Sequence, residues 1–268
     1  MLNERPHTEN KFVIIIATRN SSSFLTDALN SIIAQKYNKF RYQVIIADDN
    51  SNDSTLKIAY SFSNLLPIQV LQSNKHIGAA AIRSLAIDAS ISEYIIILDS
   101  DDILLDNSLN QILNALESQP NVDLIFGQKI RFGPWGSDSS GIPRFLTTFE
   151  IAEEISNGRN VINHSGTIFR RTWYVRTGGY EKSFKKAQDL NLWYKGLEFG
   201  EYAMLNLPVV KYRSIRRSVD YSYWFQSEYY GRQFRKSKAK PMSDLIFKLR
   251  FFHFIYLLRF LIWRLMND

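Results

Sequence analysis

The chain has 268 residues, 45% of them hydrophobic and 22% charged, with no cysteine and a formal net charge of +7 at pH 7. That length suits one large α/β domain with an appendage, or two small domains, and the composition excludes a chain that is disordered over long stretches. Without cysteine there are no disulfides and no thiolate metal ligands, so any metal rests on His, Asp or Glu, and a reducing cytoplasm is the compartment this fits.

Met1 to Lys11 is polar and lacks the basic-then-apolar pattern of a secretory leader, and no run of about 18 apolar residues marks a membrane span. A cytoplasmic body is therefore expected. Phe12 to Ala17 is a short apolar run between polar flanks, the pattern of a strand buried on both faces. Ser21 to Ser23 then offer an N-cap, and Phe24, Leu25, Ala28, Leu29, Ile32 and Ile33 recur at helical spacing. The unit repeats. Tyr42 to Ala47 reads as a second strand that ends in the polar turn Asp48 to Ser54, which leads into another helix. Pro67 to Leu71 is a third strand, Gly78 to Ala89 a helix of small residues, and Tyr94 to Leu98 a fourth strand. Alternating βαβα units predict a Rossmann-like, mostly parallel sheet with helices on both faces and ligands beyond the carboxyl ends of its strands.

Further on, a helix is expected near 106–118, a strand near 122–131, a surface loop over Gly133 to Pro143, a helix at 148–158 and an extended segment from His164 to Arg170. Gly178-Gly179 reads as a turn and Gln188 to Leu197 as a helix. The division expected is a catalytic domain over 1–215 and a helical tail over 216–268. Residues 209–268 hold 13 Lys and Arg against 4 Asp and Glu, whereas residues 1–208 hold 20 against 22, so the basic character belongs to the tail. Interleaved with Trp, Tyr and Phe, such a tail suits the inner face of an anionic membrane as well as it suits a solvated helix face. Its basic residues do not segregate to one side, so packing on the body or in a homodimer explains it too. No nucleic-acid partner is expected.

Two acidic clusters fall at carboxyl ends of predicted strands. Asp99-Ser100-Asp101-Asp102 puts three carboxylates in four residues, a crowding that a hard cation such as Mn²⁺ or Mg²⁺ relieves; a capping turn before the next helix is the weaker alternative. Asp48-Asp49 stands where an acidic residue can bond a ribose hydroxyl or a base, and an Asx-turn explains it about as well. His164 is either an acceptor-side residue or a structural histidine bonded to backbone.

The strings Val13-Ile-Ile-Ile-Ala-Thr-Arg-Asn20, Ala28 to Gln35 and Val44-Ile-Ile-Ala-Asp-Asp-Asn-Ser-Asn-Asp53 resemble the opening of family 2 glycosyltransferases. Gly78 to Arg83, Tyr94-Ile-Ile-Ile-Leu-Asp-Ser-Asp-Asp102, Gly178-Gly179-Tyr180 and Gln188-Asp-Leu-Asn-Leu-Trp193 are similar to later landmarks of that family, in the same order. The resemblance covers residues 12 to about 213. It implies a GT-A fold and transfer of a sugar from a nucleotide diphosphate donor, by family habit a UDP-sugar, usually with inversion. The acceptor it implies is a saccharide or lipid-linked saccharide of surface polysaccharide synthesis. It would make Ala17, Thr18 and Arg19 the wall of the nucleotide site, Asp49 the partner of the base and Arg83 a neighbour of base or diphosphate. Asp101 would be the principal metal ligand through its DXD motif, Asp99 would contact ribose or metal, and Asp189 would be the general base. On its residues alone Asp189 reads rather as the N-cap or a first-turn charge of its helix than as a base.

Three departures from the family pattern stand out: Gln188 where Glu is common, Ser84 where Asn is common, and Ile215 where a His often follows Tyr212-Arg213-Ser214. The last leaves a metal to Asp99, Asp101, phosphate and water. A sugar-phosphate nucleotidyltransferase should show a glycine-rich loop after the first strand, and Thr18-Arg19-Asn20-Ser21 has no glycine. A non-catalytic nucleotide-sugar-binding subunit would have lost the acidic cluster or Asp189, and both are present.

Overall fold

The computed structural model describes residues 10–37, 42–134, 136–138, 146–157, 159–184, 186–214 and 229. The expected tail, with its aromatic stretch from Phe247 to Leu265, lies outside the described residues, Tyr229 apart.

The elements run β1 (Phe12–Thr18), α1 (Leu25–Ala34), β2 (Tyr42–Asp48), α2 (Thr55–Ser61), β3 (Ile68–Gln72), α3 (Ala79–Asp88), β4 (Tyr94–Ile97), β5 (Ile103–Leu104), α4 (Ser108–Ser118), β6 (Leu124–Gly133), β7 (Gly136–Asp138), α5 (Thr148–Ser156), β8 (Thr167–Arg170), α6 (Arg171–Arg176), α7 (Gln188–Gly196) and β9 (Tyr202–Arg213). Among the described residues they build one sheet, in the order β3-β2-β1-β4-β8-β6-β9-β5, with β7 as a hairpin partner of β6.

The sheet has helices on both faces because its central strands are apolar on both. In β1, Val13 and Ile15 point into a core with Ile45, Ile95, Ile97, Trp173 and Trp193, while Phe12, Ile14 and Ile16 point into the opposite core with Leu25, Leu29, Ile96 and Ile112. A period of two along one strand thus feeds two layers. The predicted parallel order holds over β3-β2-β1-β4, where Ile14 pairs Val44 and Ile96. Beyond β4 the sheet is mixed: β8 lies antiparallel to β4 and β6, β9 runs parallel to β6, and β5 is antiparallel to β9.

Two local expectations are corrected. No side chain caps α1; the Ser21 carbonyl accepts the Phe24 and Leu25 N–H groups, and its hydroxyl turns instead to Ser100 Oγ, 2.8 Å away. The predicted loop over Gly133 to Pro143 contains β7, whose Ser137 pairs with Phe132 across a hairpin.

Candidate active site

The carboxyl ends of β1, β2 and β4 come together, as expected of parallel strands carrying a ligand site. Ala17 and Thr18 sit in register with Ala47 and Asp48, and Thr18 Oγ1 donates to Asp48 Oδ1 over 3.0 Å. Asp48 also accepts the Ser51 N–H at 2.9 Å, which closes the turn after β2. Arg19 is exposed at the mouth of this turn.

Asp49 is buried and heavily engaged. Its oxygens accept the backbone N–H groups of Ile77 (2.7 Å) and Gly78 (2.8 Å), and one lies 2.6 Å from His76 Nδ1. Gly78 has φ +93°, a conformation that favours glycine, so Asp49 holds the turn that starts α3. A carboxylate offers about four acceptor directions, which leaves room for a further bond from a ligand. His76, which carried no role in the sequence, is one of the holders.

α3 in turn delivers Arg83 to β4. Arg83 Nη2 donates to Asp99 Oδ1 over 2.6 Å, and its Nε and Nη1 are buried with no hydrogen-bond partner among the described residues. Burial by itself would raise the Asp99 carboxyl, but Arg83 and His164 overcome it and hold the group well below the usual carboxylate range. His164 Nδ1 stands 3.6 Å from Asp99 Oδ1, and its Nε2 is 2.8 Å from the Tyr180 hydroxyl. Burial raises the pKa of that phenol, and the hydroxyl can serve Nε2 as donor or as acceptor, according to the imidazole tautomer. His164 is therefore held by side chains, where the sequence had allowed a backbone-bonded histidine.

Asp101 and Asp102 carry the crowding expected of the acidic run. Burial, and then the neighbouring Asp99 charge, push the Asp101 carboxyl up. The same two causes push Asp102 up to about 8, although its Oδ1 accepts the Arg213 N–H at 2.8 Å and the Ser165 side chain also acts on the carboxyl. Arg213, two residues before the position where a His often stands, bonds the Asp101 carbonyl through Nε (2.8 Å) and Asp27 through Nη2 (2.8 Å). Among the described residues no three His, Asp or Glu side chains converge to hold a metal. Two hard carboxylates in a crowded acidic turn nonetheless fit a Mg²⁺-like ion that takes its other ligands from phosphate and water.

Asp189 lies in the first turn of α7, whose N-cap, Ala187, is left-handed (φ 56°) and caps with no side chain. It is thus no N-cap. The Asn160 amide donates to Asp189 Oδ2 over 2.8 Å, and Oδ1 has no partner among the described residues. The helix is anchored by Leu190, Trp193 and Tyr194, with Gly196 set so close to Trp173 and Tyr202 that a Cβ there would overlap both.

A cleft of about 690 Å³ gathers Arg83, Asp99, His164 and Asp189 on its walls; Ala17, Thr18, Arg19, Asp49 and Asp101 are outside its lining. Sequence reasoning missed Asn160, Ser165, Lys129, Arg131 and Tyr212, which line the same cleft from β6, β9 and the loop before β8. Asn160 and Ser165 belong to a segment with no periodicity, and nothing local marks them as partners of Asp189 or of the Asp99 N–H.

Comparison with known proteins places this site in context. The family model described as Glycosyl transferase family 2 matches residues 13–178. The poly(ribitol-phosphate) beta-N-acetylglucosaminyltransferase TarS of Staphylococcus aureus is 27% identical over 184 residues, 67% of this chain but 31% of that relative, so the chain spans under a third of TarS. The amylovoran biosynthesis glycosyltransferase AmsE of Erwinia amylovora is 24% identical over 201 residues, 74% of each chain. The crystal structure of S. aureus TarS 1–349 in complex with UDP superposes with a TM-score of 0.67 at 20% identity, covering 84% of this chain and 65% of that one, a likeness of GT-A fold.

Proposed function

The chain belongs to glycosyl transferase family 2, and on that premise we propose that it moves a sugar from a nucleotide diphosphate donor, of the UDP kind, to a saccharide or lipid-linked saccharide acceptor, with inversion, in surface polysaccharide synthesis. The observation that carries this reading is the Asp189 carboxylate on the cleft wall, one oxygen fixed by Asn160 and the other free of described partners, in the same cleft as the Arg83–Asp99 pair. A base must take the proton of the acceptor hydroxyl as the bond to the anomeric carbon forms and the diphosphate departs on the far side. Asp189 is that base: Asn160 orients it without consuming its second oxygen.

On the donor side, Asp49 receives the base, Ala17, Thr18 and Arg19 wall the nucleotide, and Arg83, on the cleft wall, lies near the base or diphosphate. Asp101, with Asp99, would hold Mn²⁺ or Mg²⁺, which supplies neutralising charge for the departing diphosphate. A relative crystallised with UDP supports the choice of nucleotide. His164, beside Asp99, is placed for the acceptor or the sugar. No helix among the described residues is long and apolar enough to cross a membrane, and the tail is proposed to meet a membrane peripherally at its cytoplasmic face.

Asp189→Asn tests the reading. Transfer should fall by about two to four orders of magnitude while donor affinity stays near wild type. A variant that transfers sugar at close to the wild-type rate would remove Asp189 from the chemistry.

A further inference from the structure

Part of the cleft lining is basic and carries none of the roles proposed above. Lys129 and Arg131 are two apart on β6, so their side chains share a face, and both line the cleft with Tyr212 of the neighbouring β9. Lys186 lines it from the loop before α7. The pairing of β6 with β9 is irregular between Phe126 and Lys129 and regular after it, so the bulge sets which way Lys129 points.

Lys129 and Arg131 have no carboxylate partner among the described residues. The Lys129 ammonium rests 4.8 Å over the Tyr212 ring. Burial, and then the like charge of Arg131, lower its pKa; Asp102 and Asp189 act on it from a distance but do not pair with it. Neither Lys129 nor Arg131 makes an ion pair among the described residues, whereas Arg83, Arg159, Arg170 and Arg213 each have a carboxylate. The two carboxylates on the cleft wall are held elsewhere, Asp99 by Arg83 and Asp189 by Asn160. Two adjacent cations on one strand, one of them largely desolvated, repel each other until an anion sits between them. A tetrahedral phosphate can take charge-assisted hydrogen bonds from both at once.

We propose that Lys129 and Arg131 form a phosphate-binding subsite in this cleft. The inference rests on the glycosyl-transfer reading for its setting. The phosphate comes either from the diphosphate of the donor or from a phosphate-bearing acceptor, and the two sources separate by experiment.

The first measurement uses inorganic pyrophosphate on the full chain, by titration calorimetry, because it needs no nucleotide base and so stands even if the UDP assignment fails. The wild type should bind it, and Lys129→Gln and Arg131→Gln should each weaken binding about tenfold or more, as expected for loss of a charged hydrogen bond. Melting temperatures near wild type would show that the variants are folded. The second measurement assigns the source. A donor phosphate is indicated if both variants lose affinity for UDP but keep it for UMP. An acceptor phosphate is indicated if UDP affinity is unchanged while glycerol 3-phosphate binds the UDP-saturated wild type and not the variants. Pyrophosphate that does not bind the wild type, or binds the folded variants within twofold of it, overturns the subsite.

Discussion

Replacing Asp49 with asparagine should loosen the turn that starts α3. The carboxylate accepts two backbone N–H groups, at 2.7 and 2.8 Å, from a position 3% exposed. Asparagine keeps one carbonyl oxygen, so one of those N–H groups loses its acceptor and faces an amide N–H₂ instead. A hydrogen bond to a charged group contributes about 1.5–3 kcal/mol, and the surviving bond falls to the neutral value of about 1 kcal/mol. Together the loss is about 2–5 kcal/mol. For a domain of this size about 1 kcal/mol moves the melting temperature by about 2–4 °C, so a fall of about 4–20 °C is expected in thermal unfolding followed by far-UV circular dichroism without nucleotide. A shift within about 2 °C would show that water replaces the missing acceptor and that Asp49 does not organise the turn. Asp49→Ala, which leaves both N–H groups unserved, should be worse than Asp49→Asn.

Asp101→Asn should abolish the extra thermal stabilisation that Mn²⁺ gives to the nucleotide-bound protein and leave the ligand-free melting temperature unchanged; nucleotide binding indifferent to EDTA in the wild type would argue against the metal. Asp102 has a folded pKa raised to about 8 from 3.8, so its contribution to stability is full below the unfolded value and drains away as pH rises toward about 8. Asp102→Asn, which keeps an acceptor for the Arg213 N–H, should therefore flatten the fall in urea stability over that window, and an unaltered pH profile would contradict the assignment. Gly196→Ala should cost about 1–3 kcal/mol or more by driving α7 off Trp173 and Tyr202, and a neutral result would mean the helix can shift at no cost.

How much of this was legible differs between the halves of the chain. β1, β2 and β4 were readable because each is a continuous apolar run between polar flanks, the mark of a strand covered on both faces. β5, two residues long, and β7, which is Gly-Ser-Asp, carry no pattern at all; their pairing is imposed by β9 and β6. α6 was hidden because Arg171 follows β8 without a break and its 6 residues are too few to show a helical period. In the site, the acidic clusters were visible as composition at strand ends. That Arg83, Asp99 and His164 form one contact was not, since neither spacing nor period links residues 16 and 65 apart in the chain. Only the family resemblance pointed to Asp189, and the Asn160 amide that orients it had no local signature.

The sheet order has a consequence for how the protein is made. β9 is inserted between β6 and β5, and its end is bonded to the Asp101–Asp102 turn more than a hundred residues earlier, with Arg213 N–H reaching Asp102 across a separation of 111. A nascent chain emerging from the ribosome can complete the parallel half while β6 still presents a bare edge, and β5 has no partner until Tyr202–Arg213 has been synthesised. Through that interval the acidic turn is also without the backbone donor that steadies Asp102. Such late, long-range closure slows folding and leaves an edge open to intermolecular pairing, so slowing or stalling translation ahead of β9 should raise the aggregated fraction, whereas a stall after residue 213 has cleared the exit tunnel should not.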